Sequence, residues 1–142
     1  FSDIDGVFSK NQKTLKSNER IYSTLDSSAI KRWTNSNNLF FFISSETIPH
    51  SKDLFSKLSI TDSIFNSKDK LSDVKKLQEK YNLKNDDCIY LGNDNSDIAC
   101  LNHFNTSFAP IDANPMASRE SQFIIEKNGG DGFLQDVINL II

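Results

Sequence analysis

The sequence predicts an α/β sandwich, a central parallel sheet with helices packed on both faces. Two kinds of segment carry that prediction. Short, continuous apolar runs such as residues 39–43 (Leu-Phe-Phe-Phe-Ile) and 88–91 (Cys-Ile-Tyr-Leu) have the look of strands buried on both sides. Stretches of helical period lie between them, and strand–helix alternation along a chain implies parallel strands joined by crossover helices. The 142 residues fit one domain able to bury a core, and eleven Phe offset a modest hydrophobic fraction of 37%.

The elements follow in order. Residues 1–3 form a short first strand that runs into Asp3-Ile4-Asp5-Gly6, so two carboxylates stand at a strand's carboxyl end, where Gly6 permits a sharp turn. A strand of three residues is short beside the usual five or six, which implies residues upstream of Phe1. Residues 9–24 are polar and Lys-rich, with Leu15, Ile21 and Tyr22 as their few apolar members, and read as a projecting β-hairpin. A helix over 27–35 carries Ala29, Ile30 and Trp33, with Asp26 or Ser27 as its cap. After the 39–43 strand, a helix over 48–58 has Pro49 in its first turn, where a missing N–H costs nothing. The clearest helix spans 69–81, with Leu71, Val74, Leu77 and Tyr81 along one face. Beyond the 88–91 strand come a helix over 96–102, a strand over 106–109, a helix over 114–120, a strand over 123–125 and an amphipathic tail over 131–142.

Charge and composition narrow the function. A net charge of −3 argues against nucleic acid or an anionic membrane as the main partner, and no apolar run approaches a membrane span of about 20 residues. Cys88 and Cys100 lack metal-type spacing and read as small buried hydrophobes in a reducing, cytoplasmic setting. His50 and His103 fall outside every motif, and the Phe40 to Phe42 run is core.

Ligands of open parallel sheets bind outside the carboxyl ends of the strands. Four such positions here are polar: Asp3 and Asp5; Ser44-Ser45-Glu46; Lys70, in a first helical turn where the helix dipole disfavours a cation; and Gly92-Asn93-Asp94-Asn95-Ser96-Asp97. Two like charges crowded at one turn repel unless a cation or shared proton holds them. Carboxylates, a hydroxyl and a lysine on one rim suit Mg²⁺ and phosphoryl transfer. Asp94 and Asp97 also fit a helix cap and a first-turn acid.

These four blocks, in this order, resemble the motifs of the haloacid dehalogenase superfamily of phosphatases. Within it they resemble the capless, Rossmann-like branch that cleaves phosphorylated octulosonic and nonulosonic sugar acids, to which the C-terminal domain of sialate cytidylyltransferases also belongs. Residues 109–115 (Ala-Pro-Ile-Asp-Ala-Asn-Pro) and the Gly129-Gly130-Asp131-Gly132 tail extend the likeness over nearly the whole chain. The resemblance implies a single domain over 1–142 with the hairpin inserted after strand 1, and these roles. Asp3 is the nucleophile and Asp5 the acid/base. Mg²⁺ is held by Asp3, the Asp5 carbonyl and Asn93 or Asp94, and Asp97 orients the metal shell from behind. Ser44 binds the phosphoryl oxygens and Lys70 neutralises their charge. Ser45, Glu46 and Lys57 read the substrate. It also implies a homotetramer in which neighbours close one another's sites.

The chain departs from the family pattern at several points. Asn93 stands where most relatives have a ligating Asp, and Ser44-Ser45-Glu46 replaces Thr-Gly-Arg, the Glu being nearer the nine-carbon branch. Leu134-Gln135 lies where an arginine is usual, and Phe8-Ser9-Lys10 follows Val7. A competing reading is therefore a non-catalytic domain kept for tetramer assembly of a cytidylyltransferase. A phosphoryl-accepting receiver domain shares the acidic strand ends, but an acid/base two residues after the nucleophile argues against it.

Overall fold

The computed structural model describes residues 1–11, 20–47 and 52–142, and all structural statements concern these. Its strands are β1 (Phe41–Ile43), β2 (Asp62–Ile64), β3 (Tyr90–Leu91), β4 (Ser107–Pro110) and β5 (Phe123–Ile125), and every pairing among them is parallel. Ser2 joins them into one sheet. It bridges Phe42 on one side and Leu91 on the other, giving the order β2-β1-Ser2-β3-β4-β5. The amide of Ser2 donates to the Phe41 carbonyl and that of Asp3 to the Leu91 carbonyl, each at 2.9 Å. The chain moves outward from Ser2 first to one side and then to the other. That puts a topological switch point, the usual crevice for a ligand, at the residue before Asp3.

The helices are α1 (Thr24–Asn35), α2 (Lys52–Lys57), α3 (Lys70–Lys80), α4 (Ile98–His103), α5 (Pro115–Glu120) and α6 (Phe133–Ile141). Strand side chains alternate between two cores, as the pleat requires. Phe40, Phe42 and Leu91 pack with Phe8, Ile30, Phe133 and Val137 under α1 and α6. Phe41, Ile43 and Tyr90 pack with Val74, Leu77, Leu101 and Phe104 under α3 and α4. This double burial is why residues 40–43 carry no polar alternation, while Leu39, ahead of the strand, is exposed. Cys88 and Cys100 are free and buried.

Several sequence expectations are corrected here. Helix α1 begins earlier than residue 27, capped by Ser23, whose Oγ accepts from the Leu25 amide. Asp26 caps a different helix: fully buried, it accepts the amides of Gly132 at 3.1 Å and Gln135 at 3.0 Å at the start of α6. Burial pushes its carboxyl above the usual range, against the pull of those amides. Strand β2 was not anticipated, because Asp-Ser-Ile offers neither an apolar run nor a long alternation. The base of the expected hairpin is an antiparallel bridge between Ser9 and Tyr22, with the Lys10 amide donating to the Ile21 carbonyl at 3.0 Å. Residues 12–19, which include Leu15, and residues 48–51, which include Pro49 and His50, lie outside the described residues.

Candidate active site

Asp3 is placed by the sheet. Its backbone is locked between β1 and β3, and its side chain, in a residue only 5% exposed, turns into the rim at the strands' carboxyl ends. Its Oδ1 accepts the Ile4 amide at 2.8 Å and faces Lys70 Nζ at 3.0 Å. Lys70 reaches inward from the first turn of α3, where Asp69 caps the helix by accepting from the Ser72 amide. The same ammonium donates to Asp97 Oδ1 at 2.7 Å. Tyr90, projecting from β3 into the adjoining core, donates its hydroxyl to that oxygen at 2.8 Å. The other Asp97 oxygen accepts the amides of Asn93 at 3.0 Å and Asp94 at 3.1 Å, so one buried carboxylate ties Lys70 to the loop after β3.

The electrostatics follow from this burial. Loss of water, then the charge of Asp97, push the Asp3 carboxyl well above the usual carboxylate range, and Lys70 and the Ile4 amide only partly oppose them. Burial works against the Lys70 charge too, but Asp97 and Asp3 more than restore it, and the ammonium stays protonated. Tyr90 is held neutral by burial and by Asp97.

The donor set suits a hard cation. The Asn93 side-chain amide meets two oxygens, Asp3 Oδ2 at 3.3 Å and the Asp5 carbonyl at 3.0 Å, and either its oxygen or its NH₂ can be turned toward them. With the NH₂ inward the metal-free site is satisfied by hydrogen bonds, and with the oxygen inward three oxygens would converge as ligands of a divalent ion do. Among the described residues no cluster of three His, Cys, Asp or Glu side chains makes a metal cage. The candidate set is one carboxylate, one carbonyl and one amide. Gly6 belongs to this geometry: at φ +80° any Cβ would lie 2.1 Å from the Asn93 amide nitrogen.

The remaining predicted residues are placed as follows. Ser44 is buried one residue beyond Ile43, whose amide donates to the Ser2 carbonyl at 2.9 Å, so it shares the rim with Asp3. Its Oγ accepts the Glu46 amide at 3.1 Å. Ser45 is half-buried and Glu46 exposed, close enough to Arg20 to help hold that guanidinium charged. Asp94 faces solvent, its Oδ1 accepting from Asn95 and from Asn114 Nδ2 at 3.2 Å, while Asn93 turns inward. Lys57 is exposed at the end of α2, and no contact in the described structure links it to this rim.

A model of the haloacid dehalogenase-like hydrolases matches residues 56–136. The chain belongs to that family. The solved structures most like this hydrolase include 3-deoxy-D-manno-octulosonate 8-phosphate phosphatases. The one from Moraxella catarrhalis, determined with magnesium, phosphate and the octulosonate, is 21% identical with a TM-score of 0.92, over 99% of this chain and 82% of that one. The cobalt-bound enzyme of Haemophilus influenzae is 20% identical with a TM-score of 0.91, over 99% and 84%. That of Yersinia pestis is 22% identical with a TM-score of 0.91, over 99% and 77%. At these identities the likeness shows a shared Rossmann-like fold. A search of curated protein sequences finds no match.

Two site residues of this hydrolase were not singled out from the sequence. Tyr90 reads as one more apolar member of its strand, and only the need of a buried phenol for a partner hints at Asp97. Arg20 sits among the polar residues of the hairpin, yet its guanidinium pairs with Asp5, with Nε 2.6 Å from Oδ1.

Proposed function

We propose that this chain is a magnesium-dependent phosphoric monoester hydrolase acting on a sugar-acid phosphate, nearer nine-carbon than eight-carbon acids. One observation carries the reading. A buried carboxylate at the switch point of the sheet lies 3.0 Å from a buried lysine on one side and, on the other, shares the Asn93 side-chain amide with the Asp5 carbonyl. A charge so placed is costly to the fold and suited to phosphoryl transfer.

Asp3 attacks phosphorus, the bond from phosphorus to the sugar oxygen breaks, and an aspartyl-phosphate forms. Asp5 gives a proton to the departing oxygen. It then takes one from the water that attacks the aspartyl-phosphate, releasing inorganic phosphate and restoring Asp3. Lys70 and the Ser44 hydroxyl hold phosphoryl oxygens, and Asp97 keeps Lys70 and the Asn93 loop in place. Asp3, the Asp5 carbonyl and Asn93 would hold Mg²⁺, which supplies positive charge against the transferring group, whereas Asp94, turned to solvent, is not placed to join them.

Ser45, Glu46 and Lys57 are assigned to recognition of the sugar acid, and Glu46 favours nine-carbon substrates. Assembly as a homotetramer in the cytoplasm completes the proposal, supported by the two free cysteines and by the need to cover a capless site from bulk water. Among the described residues no helix is long and apolar enough to cross a membrane. The comparisons lend no support to the non-catalytic reading. The test is phosphate release from a panel of sugar-acid phosphates with Mg²⁺ present. Asp3→Asn is expected to lower turnover by at least about a thousandfold, and activity that survives the substitution overturns the mechanism.

A further inference from the structure

The hairpin brings into the site one residue that the reaction above does not use. Arg20 places Nε 2.6 Å from Asp5 Oδ1 and Nη2 3.1 Å from Asp5 Oδ2. Its side chain is 8% exposed and that of Asp5 20%, so the pair sits at the mouth of the site, shielded but reachable. Ser9 Oγ adds a contact to Oδ1 at 3.3 Å. Both oxygens of the residue assigned the proton transfers are therefore engaged by one two-pronged donor. Such forks are among the stronger polar contacts in proteins, and their planar geometry fits any carboxylate equally well. While the fork is closed, a leaving-group oxygen must compete with it for Asp5. The Glu46 carboxylate is near enough to act on the same guanidinium, so this mouth already presents Arg20 with more than one anion.

We propose that Arg20 is a positioning residue that exchanges the Asp5 carboxylate for the carboxylate of the substrate, so that binding of an acidic sugar phosphate frees Asp5 for proton transfer. The inference rests on the sugar-acid phosphatase reading above. The exchange makes and breaks no covalent bond: one guanidinium–carboxylate pair replaces another, and Asp5 is left with the Ser9 contact and the leaving group. The substrate's acid group thus activates its own cleavage. An ester without one leaves Arg20 closed on Asp5 and reacts slowly, even when its phosphate is well bound.

The experiment compares kcat and KM for the native chain, Arg20→Gln and Arg20→Lys on three esters: a nonulosonic acid 9-phosphate, its C1 carboxamide, and p-nitrophenyl phosphate. Thermal unfolding of each variant accompanies it. The native chain is expected to favour the acid over its carboxamide by about 10- to 100-fold, mainly in kcat. Arg20→Gln removes that preference by raising kcat for the two esters without a carboxylate toward that of the acid, while the acid keeps its kcat and its KM rises, and Arg20→Lys restores part of the preference. A loss shared equally by all three esters overturns the exchange and makes Arg20 only a support for Asp5. So does a native chain that treats acid and carboxamide alike, a result that needs no variant to fold. A native chain inactive on every ester removes the phosphatase reading and this inference together, whereas uniform loss in an otherwise active enzyme removes the inference alone.

Discussion

Asp3 and Asp5 stand two residues apart in one loop and are held in opposite ways. Asp3 is fixed from inside by the sheet, by Lys70 and, through Lys70, by Asp97 and Tyr90, all of them buried. Asp5 is held from outside by an arginine on the hairpin and lies partly open to solvent. The difference separates two requirements of one reaction. A nucleophile gains from immobility, since its line of attack has to be set beforehand. A residue that gives a proton and later takes one back must change partners, and a contact at the mouth allows that where a core network would not.

The comparison breaks most visibly if the inner network is cut. Lys70→Met leaves the buried Asp3 and Asp97 without their shared cation, and removing one partner of a buried charge pair costs about 3–5 kcal/mol. The loss should appear in chemical denaturation of the metal-free chain as a lower midpoint at unchanged slope, and phosphatase activity should vanish with it.

A substitution at the metal edge sharpens the contrast. Asn93→Asp puts a second carboxylate opposite Asp3, which should tighten Mg²⁺ binding by about tenfold in calorimetry and lower the melting temperature of the metal-free chain. In the native chain the same calorimetry should give tighter Mg²⁺ binding at about pH 7.5 than at about pH 5.5. The sign follows from Asp3. Burial and Asp97 hold its carboxyl up, so the neutral form persists above the ordinary carboxylate range and a proton competes with the cation until the pH has risen past it. The mildest change is Tyr90→Phe. It removes one of the two hydrogen bonds on Asp97 Oδ1 while Lys70 keeps the other, and about 1–2 kcal/mol of stability should go with it in thermal unfolding.

The legible part of the molecule was whatever one segment could state alone. The 39–43 and 88–91 runs declared strands because both faces of Phe41–Ile43 and Tyr90–Leu91 within them are covered, and the polar residues closing them marked the rim. Helix α3 could be read from its period alone, and the structure adds Asp69 as its cap. What depended on distant partners stayed hidden. Asp26 looked like the cap of its own helix, but its oxygens serve amides more than a hundred residues away, at the start of α6. Strand β2 is three half-buried residues whose identity comes from pairing with β1. Arg20 was one cation among many in a polar hairpin until the chain's return past Ser9 set it on Asp5.

A Cβ on Gly129 would lie 1.8 Å from the Gly6 carbonyl oxygen, and the Gly130 amide donates to the Val7 carbonyl at 2.8 Å. The acidic turn is thus synthesised more than a hundred residues before its back wall. A nascent chain carries Asp3 and Asp5 through the synthesis of more than a hundred further residues without the surface that presses their loop into shape. Competence arrives only when residues 129–141 are out and docked, so a product cut short before them would keep every reactive side chain and still lack a working turn.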